Sequence, residues 1–171
     1  MLPMEDILGS LCGNKYETIH VIAVAGHNER LRARLETLQN GFAENKSDSV
    51  SRLAVLGFTD AMPQLMQAAD VVITKAGGVS LAECLACGAN ILIYHPLPGQ
   101  EQGNTAFLQK EYGVAAVADL RQLDEYLERE MKVSFEERLH RQEARQQQYG
   151  RPDAAKRVAE LTEKLCHFNT I

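Results

Sequence analysis

Residues 70–94 read DVVITKAGGVSLAECLACGANILIY, and the reading of this stretch decides the fold. A short β-branched run, Val71-Val72-Ile73, stops at Gly77-Gly78. Leu81, Leu85 and Ala86 then recur at helical spacing, and a second apolar run, Ile91-Leu92-Ile93, follows Gly88. A strand, a helix and a strand in so short a span predict parallel strands joined by a helical crossover.

The same alternation extends in both directions. Residues 19–25 (IHVIAVA) and 52–58 (RLAVLGF) read as buried strands. Between them, residues 28–42 form an amphipathic pattern with Leu31, Leu35 and Leu38 on one face. A short helix is expected over 62–69, a helix over 102–112, and a short strand over 114–117. From about Leu120 the chain reads as helical, with a break at Gly150-Arg151-Pro152. The polar residues 44–51 (ENKSDSVS) predict a surface loop, and the Gln- and Arg-rich residues 138–149 a solvated helix face. The expected fold class is α/β: one domain over residues 1–171, with a Rossmann-like parallel sheet and helices on both faces. Residues 3–12 (PMEDILGSLC) read as a helix, so the strand and Gly-rich turn that usually open such a sheet are expected to be missing.

Composition narrows the function classes. The net charge of −5 offers no broad basic footprint, so nucleic acid is not an expected partner. No apolar run is long enough for a transmembrane segment and no signal peptide is apparent, which makes a cytoplasmic location the default expectation. Cys84 and Cys87 form a Cys-x-x-Cys, but no second Cys or His pair has zinc-ligand spacing. The pair also falls late in a helix, where a redox motif does not sit, so buried structural thiols are expected.

Ligands of parallel sheets bind at the carboxyl ends of the strands, and three loops there carry polar or glycine-rich stretches. In TKAGGVSLAE (residues 74–83), Ser80 and Glu83 fit a Ser-x-x-Glu capping box. The same geometry also suits a phosphate group. Gly77 and Gly78 permit close approach, a helix start presents free N–H groups, and Glu83 is a bidentate acceptor for a ribose diol. In HPLPGQEQGN (residues 95–104), two prolines and a glycine restrict a loop bearing Gln100, Glu101, Gln102 and Asn104. Such density of hydrogen-bonding groups suits a sugar, and equally a polar loop in which residues 102–104 start the next helix. In GFTD (residues 57–60), Phe58 can support a nucleobase or equally be a core or rim residue, and Asp60 can cap the next helix.

Together, T-K-x-G-G-x-(S/T)-x-x-E and P-G-Q-E-x-x-N, about 15 residues apart, resemble the nucleotide-sugar half of glycosyltransferase family 28. The resemblance is greatest to monogalactosyldiacylglycerol synthases and processive diacylglycerol glucosyltransferases, and more distant to MurG-type N-acetylglucosaminyltransferases. It covers roughly residues 15 to 120 well. It implies the C-terminal half of a GT-B fold, binding a UDP-sugar such as UDP-glucose or UDP-galactose. By this resemblance, Phe58 and Thr59 flank the uracil, and Gly77, Gly78, Val79 and Ser80 lie by the diphosphate. Glu83 takes the ribose hydroxyls, Gln100 and Glu101 meet the sugar, and Asn104 braces that loop. No metal or cofactor is implied, and no catalytic residue is assigned. The acceptor-activating base belongs to an acceptor domain absent from residues 1–171, so the chain is expected to bind donor without transferring it alone.

Departures from the pattern are His27 in Ala25-Gly26-His27-Asn28, where a Lys or Arg is usual, and His95, where a Lys is common. An acceptor-domain subunit, self-association through exposed apolar surface, and peripheral membrane attachment once joined to an acceptor domain are the partner expectations. The competing function is a non-catalytic nucleotide-sugar-binding or interaction module. A UDP-sugar 2-epimerase-like activity would need acid and base groups from two domains.

Overall fold

The computed structural model describes residues 2–12, 19–44, 53–151 and 153–168. Its elements follow in the order α1 (Met4–Leu11), β1 (Val21–Val24), α2 (Glu29–Glu44), β2 (Leu53–Leu56), α3 (Met62–Ala68), β3 (Val72–Thr74) and α4 (Gly78–Ala86). Then come β4 (Ile91–Tyr94), α5 (Gln100–Tyr112), β5 (Ala115–Val117), α6 (Leu120–Glu130), α7 (Phe135–Tyr149) and α8 (Ala154–Phe168). The expected loop residues 45–51, the strand start at Arg52 and the break residue Pro152 lie outside the described residues.

Every strand pairing is parallel, but the pairings form two sheets, β1-β2 and β3-β4-β5. The alternation of side chains along β4 organises the core. Leu92 and Tyr94 face one way, into a cluster with Ile7 and Leu11 of α1, Val117 of β5, and Leu123, Tyr126 and Leu127 of α6. Ile91 and Ile93 face the other way, against Met66 of α3, Leu81, Cys84 and Cys87 around α4, and Leu108 of α5. β3-β4-β5 is thus covered on both faces, and all four residues of β4 are buried.

β1-β2 is packed on one face. Ala23 and Leu53 meet Leu31 and Leu35 of α2 together with Leu8 of α1 and Cys12 at its C-cap. On the opposite face Ile22 is 53% exposed. Helix α1 therefore serves both sheets, with Ile7 and Leu11 turned to one cluster and Leu8 and Cys12 to the other.

Helix α7 keeps the expected solvated face but is also tied to its neighbours. None of its residues is buried, yet it is tied to neighbours through their main chain. Gln142 Nε2 donates to the Gln67 carbonyl at 2.7 Å and Arg145 Nε to the Gly88 carbonyl at 2.9 Å. Arg138 Nε lies 2.9 Å from Asp70 Oδ1, an ion pair without hydrogen-bond alignment. Gly88 has φ of +68°, and a Cβ there would lie 2.5 Å from the Gln142 carbonyl oxygen. Both the left-handed backbone and the close helix approach require glycine. Among the described residues no helix is long and apolar enough to cross a membrane.

The cysteines of the Cys-x-x-Cys are buried free thiols, and Cys84 Sγ sits 3.8 Å from Met66 Sδ. Burial, with Cys87 and Glu83 adding to it, pushes the Cys84 thiol from the ordinary 9.0 up to about 11. Burial likewise lifts Tyr126 from 10.0 to about 12, with Glu130 adding and the Asn90 hydrogen bond opposing.

Two outcomes are expected. Gly88→Ala destabilises by about 2 kcal/mol or more, measured by urea denaturation, because it combines overpacking with a disfavoured φ. Stability also falls as pH rises from 9 to 11. The unfolded chain releases the Cys84 proton near pH 9.0 while the folded chain holds it to about 11, so unfolding is favoured by deprotonation in that window. Urea midpoints at pH 8, 9, 10 and 11 test this, and Cys84→Ala should flatten the slope.

Candidate functional site

The carboxyl end of β3 leads into the TKAGGVSLAE turn. Gly77, not Ser80, occupies the N-cap of α4, with φ −82° and ψ 131° and no side-chain cap. The Gly77 N–H closes a tight turn on the Lys75 carbonyl at 2.8 Å, and the Gly77 carbonyl accepts the first helical bond from Leu81 N–H at 3.1 Å. The helix thus begins three residues earlier than a Ser80 cap requires, so the expected capping box does not form. The consequence is chemical: the N–H groups of Gly78, Val79 and Ser80 have no helical partner, and among the described residues no side chain caps them. These amides and the positive end of the helix dipole face outward beside Val79, which is 76% exposed.

The loop after β4 is built to meet this turn. His95 adopts φ of +47°, and its Nδ1 lies 2.8 Å from the Ala118 carbonyl. A carbonyl can only accept, so Nδ1 carries the proton and Nε2 is turned to the other side of the ring. Gly99, at φ +98°, caps α5, which starts at Gln100 rather than Gln102. Gln100 and Glu101 therefore belong to the first turn of a helix and not to an open loop. Glu101 Oε2 accepts from Leu97 N–H at 3.3 Å, folding the loop over the helix start.

Two contacts join this helix to the glycine turn. Asn104 Nδ2 donates to the Ala76 carbonyl at 3.0 Å, and Lys75 Nζ stands 4.0 Å from Glu101 Oε1. Asn104 thus braces the β3–α4 turn, where the sequence placed its brace within its own loop. Lys75 is the residue that sequence reasoning left without a role. Its side chain is 56% exposed, and its Cε runs 3.7 Å from where a Cβ on Gly77 would stand, at the start of α4. The lysine of T-K-x-G-G was the available signal.

The remaining predicted residues follow β2. Phe58 is 61% exposed and stacks on His27 of the β1–α2 loop, with ring centroids 4.4 Å apart and planes 13° from parallel. The Thr59 hydroxyl accepts from Ala61 N–H at 3.1 Å. Ala61 is the N-cap of α3, so Asp60 does not cap it; the Thr59 turn delays the helix start. Asn28 does cap α2, accepting from Leu31 N–H at 3.0 Å. The structure therefore makes two tied pairs of loops, β1 with β2 and β3 with β4. Among the described residues no hydrogen bond, ion pair or ring contact links Phe58 and Thr59 to Gly77–Glu83. Glu83 is exposed, a turn along α4 from the free amides.

The Asn104 bond makes a sharp expectation. Asn104→Ala costs about 1 kcal/mol and speeds amide exchange across residues 75–80. Asn104→Asp costs more, because a carboxylate would then oppose the Ala76 carbonyl with no donor between them. Denaturant melts of both variants, with exchange measured by mass spectrometry, check the order.

Comparison with known proteins gives a consistent result. The sequence pattern of the glycosyltransferase family 28 C-terminal domain matches residues 10–161. The chain is 36% identical over 111 residues to a processive diacylglycerol beta-glucosyltransferase of Bacillus subtilis (strain 168), covering 64% of this chain and 27% of that protein. It is 33% identical over 103 residues to the protein of the same name from Bacillus licheniformis, covering 60% of this chain and 25% of that one. The chain thus spans about a quarter of the length of these relatives. With most of its length matched, and with parallel strands and their crossover helices in place, the chain belongs to the glycosyltransferase family 28 C-terminal domain family.

Proposed function

We propose that the chain holds the nucleoside diphosphate of a UDP-sugar donor, as the donor-binding domain of a glycosyltransferase that moves a hexose to a lipid acceptor. The observation that carries this reading is the N-terminus of α4. Its free amides lie at the carboxyl end of β3, uncapped by any side chain, beside Lys75. That arrangement suits the two negative charges of a diphosphate. In this reading Glu83 accepts from the ribose hydroxyls and Gln100 and Glu101 meet the hexose. The His27–Phe58 stack offers an aromatic face to the uracil. The names of the relatives support a glucosyl donor and a diacylglycerol acceptor.

In the reaction, a lipid hydroxyl attacks the anomeric carbon, the bond to the diphosphate oxygen breaks, and UDP leaves with its charge on the α4 amides. The protein part that activates the hydroxyl belongs to an acceptor domain beyond residues 1–171. One observation favours a second reading, a non-catalytic nucleotide-sugar-binding module: among the described residues no hydrogen bond, ion pair or ring contact ties Phe58 and Thr59 to the α4 N-terminus.

Calorimetric titration with UDP, UDP-glucose and UDP-galactose distinguishes these. UDP binding is expected, weakened about tenfold by Lys75→Ala, which removes one charge-assisted contact, and also weakened by Glu83→Ala. Absence of binding by any uridine nucleotide at millimolar concentration sinks the donor-domain reading. Binding of UDP without transfer to diacylglycerol when the acceptor part is supplied establishes the module instead.

A further inference from the structure

A second cleft lies at the opposite end of the strands from the glycine turn. Asp70 stands just before β3 and Asn90 just before β4, and both line it, so it sits at the amino ends of strands whose carboxyl ends carry the candidate site. The cleft runs between the ends of α3 and α6 and the side of α7, with a volume of about 210 Å³. Drug-sized pockets take roughly 300–1,000 Å³, so this one suits a small ligand and not a nucleotide.

Arg138, Arg141 and Arg145 line it from α7, at i, i+3 and i+7 on one stripe. Like charges at that spacing repel, and each gains from an offsetting partner. Arg138 has one, with Nε 2.9 Å from Asp70 Oδ1 and Nη1 donating to the Val133 carbonyl at 3.0 Å. Arg141 has another, its Nε donating to Glu137 Oε1 at 2.7 Å. Arg145 lacks one: its Nε donates to the neutral Gly88 carbonyl, and among the described residues no carboxylate pairs with it. Glu130, the other carboxylate of the cleft wall, accepts instead from Asn90 Nδ2 at 3.0 Å. Burial holds the Arg145 pKa below the ordinary arginine value, with Tyr126 and Glu130 opposing and the like charge of Arg141 adding. A guanidinium taken partly out of water without a counter-ion is costly, and an anion relieves that cost. Arg138 Nε is a second sign, a buried donor whose ion pair gives it no hydrogen bond.

The chemistry narrows the anion. A carboxylate is planar and fills one guanidinium fork, whereas a phosphate brings up to two charges and three acceptor oxygens, enough for two forks. Arg141 and Arg145, one helical turn apart, offer two. Phe135 and Leu139, also one turn apart, add an exposed apolar edge to the same cleft. A phosphate with a small apolar substituent matches both features. The acidic first turn of α7, Glu136 and Glu137, and the net charge of −5 oppose an anionic membrane surface, which favours a soluble source.

We infer that this cleft binds a soluble phosphomonoester, with its phosphate between Arg141 and Arg145 and its apolar group against Phe135 and Leu139. The inference does not rest on the nucleotide reading, and its residues lie outside the candidate site.

Phenyl phosphate is the probe, titrated into the chain and followed by NMR on the arginine Nε–H signals and the backbone amides. Saturable shifts are expected at Arg138, Arg141, Arg145 and Gly88, with inorganic phosphate and benzoate binding more weakly. Arg141→Gln should weaken phenyl phosphate about tenfold, since it removes one charge-assisted contact. That variant keeps the fold, because among the described residues Arg141 is tied only to Glu137 of its own helix. Lys156→Gln on α8 removes the same charge elsewhere and should change nothing. Shifts confined to Gly77–Ser80 put the phosphate on the α4 amides and overturn the inference, as does equal weakening by Arg141→Gln and Lys156→Gln. Absence of shifts at tens of millimolar probe overturns it too. Benzoate binding as tightly as phenyl phosphate overturns the phosphate assignment. Retention of the chain by phosphatidylcholine vesicles carrying phosphatidic acid, lost in Arg141→Gln, overturns the soluble source.

Discussion

The short helix α1 is the contact on which the architecture depends. Strand pairing does not join β1-β2 to β3-β4-β5, so cohesion between them comes from side chains. Ile7 and Leu11 belong to the core over β4 and β5, while Leu8 and Cys12 belong to the core over β1 and β2. Each is at most 5% exposed, so one helix face after another is buried on a different sheet. The amphipathic stripe of an ordinary surface helix serves one core; this one is split between two. The Ser10 hydroxyl donates to Asp124 of α6 at 3.3 Å and adds a polar tie on the same side.

Much of the fold was legible because its signals are local. The apolar runs at Ile22, Val55, Ile73 and Leu92 announce strands through β-branching and length, and the Leu31–Leu35 spacing announces α2. The division of the strands into two sheets was only half legible. The opening helix hinted at a missing strand, but which edges are left open depends on non-local pairing that no window of sequence contains. Helix α7 reads correctly as a solvated helix, none of its residues being buried, but its ties were not legible for a related reason. Its Gln and Arg residues look solvated in sequence, yet Gln142 and Arg145 spend their donors on main-chain carbonyls of other elements.

At the candidate site, the sequence erred on helix starts. Ser80 and Asp60 are good N-cap residue types, but Gly77 and Ala61 hold the caps. Side-chain preference at a cap is worth about 1 kcal/mol, and a tight turn bonded through Lys75 or Thr59 outweighs it. The bracing function of Asn104 was anticipated, but its partner, the Ala76 carbonyl, is 28 residues away in the chain. That bond makes the glycine turn and the following helix one unit. The amides of α4 are therefore positioned by α5 as much as by β3.

The way α7 is attached has an evolutionary consequence. Its bonds to Gln67 and Gly88 end on carbonyl oxygens, which every residue type supplies. The side chain at position 67 is free to drift without loosening the helix, because α7 reads where the main chain runs and not which residue is there. Position 88 is the exception, since the same closeness that brings its carbonyl to Arg145 leaves no room for a β-carbon. Sequence divergence around α7 should thus be broad at most of the surface it touches and halted at that one glycine.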